Sequence, residues 1–516
     1  MNDNKISKNS IVAKFAVPIS FLILFFLAAN FTDCDLVTFW KRRNHLTDLV
    51  VDMIPPDFSY IQKILLPLFY TIQMSVTGTV LGIFFALVLS PFGAANLGFP
   101  AVIRRILRIV IQILRSFPAL ILALTATFLF GLGTFAGTFA ITLYTFAIMA
   151  KLTYEDASAA DVKAYQALRA MGVSKYVAYI HGILPEIIPG FLTNALYLLE
   201  TNVRHSSILG YVGAGGIGLL LNEKISWLEY DKVGTILLML FLTVCVIEYF
   251  SRYLAALIRK ERTIKKEQAR LLLLFLAALF LICTFTLSLP DFSRTSPQTL
   301  RNMFAGFLQP DWSFFFSAEK DGLGYLLLET VCIAFIGTVI RAIASAPLAF
   351  LNTKRFVPAP VSFLFNLVIM VIRSVPFLVY GLIFIRVSGP GAFTGVLTLA
   401  VCSIGLLTKR FTEALDALDP RPYHALLAMG VRPLPAICHS VLPQLKPVFT
   451  SIILYRFDVN IREASVLGLV GAGGIGAPLI FSMNQYAWEK AGAIMLGLIL
   501  LVWFIDMVSE KIGAGN

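Results

Sequence analysis

Charged side chains are scarce in this sequence, which has 14% charged and 58% hydrophobic residues. An average soluble domain carries roughly 25% charged residues, so the composition excludes an ordinary water-soluble protein. It indicates a polytopic membrane protein, in which each spanning helix needs about 20 mostly apolar residues. The formal net charge of +12 is expected to orient the chain and to contact membrane lipid headgroups, and it does not indicate nucleic-acid binding.

Cysteine and histidine are also rare and scattered. The six cysteines occur singly, without a CxxC pair, so we predict neither a disulfide framework nor a metal site. The five histidines are isolated and no nucleophile triad is apparent, which makes a catalytic membrane enzyme the least favoured function. The sequence lacks GxxxxGK[ST], so we expect no ATP site and no cofactor in this chain.

The sequence does contain a long internal repeat. Residues 200–218 and 458–476 are identical at 12 of 19 positions and are separated by 258 residues, half of the 516-residue chain. The same offset relates the Arg-Ser-x-Pro motif at 115–118 to the one at 373–376. Matches in one register over this length predict a tandem fusion of two homologous halves.

Apolar runs predict an all-α polytopic membrane protein with about 12 transmembrane helices in two parallel six-helix repeats. We place the first half at 1–250, a basic cytoplasmic linker at 251–270 and the second half at 271–516. Lysine and arginine concentrate after the second, fourth and sixth spans, so we expect both termini in the cytoplasm. The predicted spans lie near residues 15–31, 64–90, 107–130, 135–150, 186–208, 233–250, 271–289, 326–351, 361–386, 392–408, 444–466 and 491–509.

The longest predicted cytoplasmic loop of each half spans residues 154–185 or 412–443. Each loop has two short helical segments separated by a glycine, Gly172 or Gly430, and a proline that opens the next span. A helix–glycine–helix unit at the membrane surface can transmit a push from a partner into the adjoining spans. A plain amphipathic connector is the alternative, but two copies in register favour docking of a two-fold partner.

These loops resemble the coupling loop of ABC-importer permeases, the EAA loop, in which an Ala-rich helix is followed by glycine and then by Leu-Pro. Together with N-x-R and GxVGAGGIG, the sequence is similar to permeases of the phosphonate, phosphite and phosphate-ester import family. The resemblance covers about 60–250 and 320–510, which suggests two fused permeases of ABC importer type I-like fold. Methionine-type permeases carry a related Gly-rich segment.

The resemblance implies a permease subunit of the plasma membrane that imports phosphonate or a related phosphorus oxyanion. It implies two ABC ATPase subunits, which would hold ATP and Mg and dock on the coupling loops, and an extracytoplasmic substrate-binding protein. The family's acidic residue six positions before the loop glycine is Gln166 or His424 here, and Glu155 and Glu413 are the candidates to take over its role. The implied ATPase-coupling residues are Glu155, Gln166, Ala167, Gly172, Leu184, Pro185, Glu413, His424, Ala425, Gly430, Leu442 and Pro443.

Paired charges lie within predicted spans. Glu200 and Arg204 are four residues apart, as are Asp458 and Arg462, so each acid faces its base on one side of a helix. The pairs are either structural clamps or part of the anion path, because the arginine fork suits phosphoryl oxygens. Our candidate path residues are Arg115, Ser116, Asn202, Arg204, Arg373, Ser374, Asn460 and Arg462, although Arg115 and Arg373 are alternatively expected to snorkel to the cytoplasmic face.

The Gly-rich stretches after the fifth span of each half are candidates for an outer gate, with a passive tight turn as the alternative. The gate glycines are Gly213, Gly215, Gly216, Gly471, Gly473 and Gly474. Two other functions remain open for the whole chain. An ABC permease for another solute, such as methionine, differs mainly in its cavity, whereas a secondary transporter is driven by an ion gradient and needs no ATPase.

Overall fold

A computed structural model of the protein describes residues 19–259, 265–288, 290, 297–317 and 319–514. The predicted cytoplasmic N-terminus with Lys5, Lys8 and Lys14 lies outside the described residues, as does the centre of the predicted linker at 260–264. Within the described ranges every regular element is a helix or a helical turn.

The helices are numbered here in chain order. They are α1 Ile19–Phe31, α2 Leu36–Asp52, α3 Ile61–Gly93, α4 Ala101–Ser116, α5 Ala119–Phe130, α6 Thr134–Ala159, α7 Lys163–Ala170, α8 Lys175–Gly182, α9 Leu184–Leu209, α10 Ile217–Ser226, α11 Tyr230–Ile258, α12 Lys266–Phe285, α13 Pro297–Leu308, α14 Trp312–Phe315, α15 Leu323–Asn352, α16 Ala359–Ser374, α17 Phe377–Ser388, α18 Ala392–Cys402, α19 Ile404–Ala417, α20 Arg421–Ala428, α21 Pro433–Ala436, α22 Leu442–Leu467, α23 Gly476–Asn484 and α24 Trp488–Ala514.

The prediction of an all-α polytopic membrane protein is confirmed. Eight helical segments among the described residues are long and apolar enough to cross a membrane, and the number rises to 11 if each of three bent pairs is one span. The apolar helix α1 is shorter than these. The order of elements from α3 to α11 recurs from α15 to α24, as expected for two homologous halves.

Two predicted spans are sharply bent. The runs at 107–130 and 361–386 were expected to be single helices, but α4 and α5 meet at 97°, and α16 and α17 at 85°. Phe117 and Val375, which precede the prolines of the Arg-Ser-x-Pro motifs, have extended backbones with ψ of 130° and 124°. The residue before a proline disfavours helical backbone for steric reasons, so each motif ends one helix and starts another.

The described residues of Leu49–Phe304 form one compact unit, and those of Met1–Asp48 and Ala305–Asn516 form another. In the second of these, α1 packs on α15, where the rings of Phe21 and Phe335 are 5.5 Å apart. In the first, Gln73 of α3 donates to the Cys283 carbonyl of α12 at 3.1 Å. Each unit therefore combines most of one sequence half with the first helix of the other half.

Candidate functional site

The first coupling loop is anchored by a tyrosine. Tyr165 of α7 is buried and donates its hydroxyl to the Leu97 carbonyl at 2.6 Å. The two short helices approach so closely that a Cβ on Gly182 would lie 2.8 Å from the Tyr165 nitrogen. Asp161 accepts from the Lys163 backbone at 3.0 Å, and hydrogen bonds from the Lys163 backbone and side chain hold the pKa of Asp161 below its usual value. The loop is thus a packed helix pair rather than a loose connector.

The second coupling loop repeats this arrangement with different packing. The ring of Tyr423 in α20 packs edge-to-face on the Phe356 ring, with 5.5 Å between the ring centroids. The equivalent Tyr165 of the first loop is held by a hydrogen bond instead. Beyond Gly430, α21 continues through a π-helical turn at Ile437–Val441 directly into α22. Gly172 and Gly430 have φ of +85° and +81°, the left-handed region that favours glycine, which confirms the predicted helix–glycine–helix unit in both halves.

The tips of both loops are exposed and apolar. Met171 and Met429, the residues before the two glycines, are 70% and 77% exposed. Most of the predicted coupling residues are likewise exposed, whereas Leu184 is half-buried at the start of α9. Exposed in this way are Gln166, Ala167, Gly172, Pro185, His424, Ala425, Gly430, Leu442 and Pro443.

The predicted substitutes for the missing acidic residue lie one helix earlier. Glu155 of α6 is exposed and pairs with Lys151 at 3.5 Å. Glu413 of α19 is also exposed and pairs with Arg410 at 3.2 Å. Both carboxylates therefore face solvent on helices that lead into the coupling loops, each beside a base of its own helix.

The predicted pairing of acid and base within the spans is confirmed. Arg204 donates to Glu200 at 3.0 Å on α9, and Arg462 makes a direct ion pair with Asp458 on α22. The four side chains are between 6% and 14% exposed. Charges this far from solvent are costly, so each arginine at least neutralises its neighbour.

The two path asparagines are fully buried and bridge helices. Asn202 donates to the hydroxyls of Thr79 on α3 and Thr145 on α6, at 2.7 and 2.8 Å. Asn460 donates to the Thr338 hydroxyl on α15 at 2.6 Å. These bonds fix α9 and α22 against the long helix of their own unit.

The Arg-Ser-x-Pro residues lie at the ends of α4 and α16. Both serines bond within their own helix, Ser116 to the Gln112 carbonyl at 2.9 Å and Ser374 to the Val371 carbonyl at 2.7 Å. Arg115 is half-buried, but Arg373 is buried and packs against α19, where a Cβ on Gly405 would lie 2.5 Å from its Cγ.

The Gly-rich segments form tight turns after α9 and α22. All six predicted gate glycines have φ between +75° and +82°, so the chain follows a path that other residues rarely adopt. The first turn is tied by a hydrogen bond from the Ile217 nitrogen to Thr71, at 2.8 Å. In the second turn the Ile475 nitrogen donates to the Thr330 hydroxyl at 3.1 Å. The Gly474 nitrogen donates to the Glu329 carboxylate, also at 3.1 Å.

Sequence reasoning missed a charged cluster in the second half. Arg456 of α22 bonds both carboxylate oxygens of Glu463, at 3.0 and 3.1 Å, and donates to the Ser403 hydroxyl at 2.9 Å. Arg341 of α15 is fully buried and lies within electrostatic reach of Arg456 and Glu463. An arginine inside an apolar run was the available signal, because intramembrane charges mark functional or paired sites.

The sequence is similar to known proteins over most of its length. The sequence matches the family described as binding-protein-dependent transport system inner membrane component twice, over residues 78–263 and 342–512. It is 27% identical over 474 residues to the phosphate-import permease protein PhnE of Mycolicibacterium smegmatis, covering 90% of this chain and 88% of that protein.

Two further relatives are similar. The phosphite transport system permease protein PtxC of Stutzerimonas stutzeri is 36% identical over 184 residues, which cover 36% of this chain and 67% of PtxC. The ABC transport system permease protein p69 of Mycoplasma pneumoniae is 23% identical over 459 residues, covering 86% of this chain and 84% of p69.

Proposed function

Because the chain belongs to the family of binding-protein-dependent transport system inner membrane components, we propose that it forms the membrane path of an ABC importer for a phosphorus oxyanion. The double family match is the observation that supports a double-length permease. The substrate class follows from the relatives, whose names specify phosphate import and phosphite transport. Phosphonate has the same tetrahedral oxyanion chemistry and belongs to the same class.

The proposed location is the plasma membrane, with both termini and both coupling loops in the cytoplasm. The basic residues that follow the second, fourth and sixth predicted spans support this orientation. In this arrangement the Gly-rich turns after α9 and α22 lie on the outer side, where they serve as the gate facing a substrate-binding protein.

Energy would come from two separate ATPase subunits that hold ATP and Mg, one on each coupling loop. The exposed tips at Met171 and Met429 are the apolar contact points, and the packed helix pair behind each tip transmits force. In the first loop the buried Tyr165 joins α7 to the segment after α3, so a push on the tip moves the spans around it. A loose connector would absorb the same push.

In the proposed path the arginines of the predicted set face the anion, while the buried asparagines and serines fix the helices that carry them. Arg204 and Arg462 each bind a carboxylate with part of the guanidinium. The rest of each guanidinium faces the proposed path. A guanidinium carries five N–H donors, so one carboxylate partner does not exhaust it. Arg115 and Arg373 extend the basic lining toward the cytoplasmic side.

The proposal is tested by uptake into proteoliposomes that contain this chain, its ATPase and its binding protein. Phosphate, phosphite, methylphosphonate and methionine are offered in parallel, with and without ATP. We expect ATP-dependent uptake of a phosphorus oxyanion. Uptake of methionine alone would overturn the substrate class, and uptake driven by an ion gradient without ATP would overturn the ABC mechanism.

The coupling assignment has its own variant pair. Met171→Asp with Met429→Asp places a charge at both exposed tips, and we expect ATP-driven uptake to fall at least roughly tenfold because a buried apolar contact with the ATPase is lost. Met171→Leu with Met429→Leu is the matched control and should retain uptake. Equal uptake by both double variants would contradict docking at the tips.

A further inference from the structure

Arg341 is the most unusual side chain of the second half. It lies in the middle of α15, is 0% exposed and makes one long hydrogen bond, from Nη2 to the Thr338 hydroxyl at 3.4 Å. Its Nε and Nη1 are buried and have no hydrogen-bond partner among the described residues. Buried donors are nearly always satisfied in native proteins, and an unsatisfied guanidinium is among the costliest to bury.

Its surroundings carry an excess of positive charge. Arg456 and Glu463 form one ion pair, so Arg341 beside them leaves a net charge of about +1 in a water-poor region. The cluster therefore holds two arginines and one carboxylate beside Cys402 and Ser403.

The first half lacks every charged member of this cluster. Gly78-Thr79-Val80 aligns with Gly337-Thr338-Val339, and each threonine accepts from the equivalent asparagine, which places Gly82 opposite Arg341. At the offset of 258, Leu198 and His205 stand where the second half has Arg456 and Glu463. Leu198 is part of an apolar core with Phe146 and Met149.

The backbone differs in the same place. A Cβ on Gly82 would lie 2.7 Å from the Thr145 Cβ and 3.0 Å from the Phe146 nitrogen, so α3 and the unbroken α6 leave no room for a side chain. In the second half the equivalent segment, Ala392–Ala417, departs from regular helix only at Ser403, where the backbone stays in the helical region. There Ser403 stands in place of Thr145, and its hydroxyl accepts a hydrogen bond from Arg456.

We propose that Arg341, with Arg456, forms a single binding site for a tetrahedral oxyanion that is present only in the second half of the chain. An oxyanion there would accept from the two unpartnered donors of Arg341 and neutralise the excess charge. Glu463 holds Arg456 in place, which makes it a positioning residue. On the basis of the proposed function, the bound oxyanion is the transported phosphorus compound. Only the second half then recognises the substrate, although the chain has two halves.

The test is direct binding to the purified full chain in lipid nanodiscs, measured by equilibrium dialysis with radiolabelled inorganic phosphate. We expect one phosphate per chain, displaced by methylphosphonate and phosphite but not by an equal concentration of chloride. Arg341→Gln should weaken binding roughly 10- to 100-fold, because two charge-assisted hydrogen bonds are lost. Arg341→Lys, which retains the charge but not the fork, should give an intermediate affinity.

The matched control is Arg301→Gln, which neutralises an exposed arginine of α13 and should leave phosphate affinity unchanged. Arg341→Gln should melt in a cooperative transition, which shows that it is folded, and phosphate should raise the melting temperature of the wild type but not that of the variant. Unchanged phosphate affinity in Arg341→Gln would overturn the site. Displacement by chloride as effective as by methylphosphonate would identify a resident counter-ion and overturn the assignment to cargo.

Uptake separates this inference from the proposed function. If the wild-type complex imports phosphorus oxyanions and Arg341→Gln imports them equally well, the one-sided site fails while the proposed function stands. If phosphate binding depends on Arg341 but the wild-type complex imports no phosphorus compound, the site stands and the proposed function fails.

Discussion

The two halves of this chain share equivalent helix contacts, but the side chains at one of these contacts are apolar in the first half and charged in the second. Where α3 packs on α6, Gly82 permits close approach, and the adjoining core contains Leu198 and Phe146. At the corresponding place in the second half, Arg341 is buried beside the ion pair of Arg456 and Glu463. The shared asparagine–threonine bonds show that the scaffold is conserved between the halves while this polar cluster is not.

This difference teaches that an internal repeat does not require two equivalent sites. A packed apolar core stabilises a helix bundle without further partners, whereas a buried charge cluster is stable only when every member is compensated. The first half therefore serves as the internal reference for the second. Substitutions that exchange their chemistry measure what the charges contribute.

The largest effect is expected at Glu463. Glu463→Gln removes the only carboxylate beside Arg456 and Arg341 among the described contacts, so two positive charges face each other without compensation. We expect a loss of roughly 3 kcal/mol in the free energy of unfolding. Reversible denaturation of the full chain in detergent micelles, followed by tryptophan fluorescence, measures it.

The matched variant gives the second half the chemistry of the first. Arg341→Gly, Arg456→Leu and Glu463→His together remove the cluster as a unit, and most of the loss should be recovered because no uncompensated charge remains. A triple variant less stable than Glu463→Gln would show that the cluster stabilises the fold outright, and would contradict the expectation that the chemistry of the first half can replace it.

The Gly-rich turns should differ in their tolerance of a side chain. A Cβ on Gly473 would lie 2.6 Å from the Ala392 Cα, which is backbone, whereas a Cβ on Gly215 would meet the Thr134 methyl at 3.4 Å. Both positions have positive φ and cost an alanine about 1 to 2 kcal/mol. We expect Gly473→Ala to destabilise the chain by about 1 to 2 kcal/mol more than Gly215→Ala, measured by the same denaturation. Equal losses would mean that φ alone decides tolerance.

A smaller difference is expected between the two asparagines. Asn202 donates to two buried hydroxyls and Asn460 to one, because Ser403 stands in place of Thr145 and binds Arg456. Asn202→Ala should cost roughly 2 kcal/mol and Asn460→Ala roughly 1 kcal/mol. Thermal unfolding of both variants checks the order, with Thr201→Ala as the control, because the half-buried Thr201 bonds to the Tyr197 carbonyl of its own helix. A reversed order would show that Asn460 contributes through a different contact.

Much of the site could be read from local sequence. The acid–base pairs were predictable because residues four apart share a helix face, and the structure has both pairs. The glycine between the short coupling helices was predictable because only glycine readily adopts positive φ at a helix end, and Gly172 and Gly430 do so. The bends at Pro118 and Pro376 were missed because each motif lies within a continuous apolar run.

The sequence by itself determined the membrane class, the two-fold repeat, the approximate spans and the residues that pair within one helix, because each depends on composition or on spacing along the chain. Only the tertiary structure decided that Arg341 meets Arg456 and Glu463, which are more than one hundred residues away in sequence. It also decided that α1 and α12 pack with the opposite half of the sequence. Such contacts depend on which helices pack together, and hydrophobic periodicity along the sequence does not determine the packing partners.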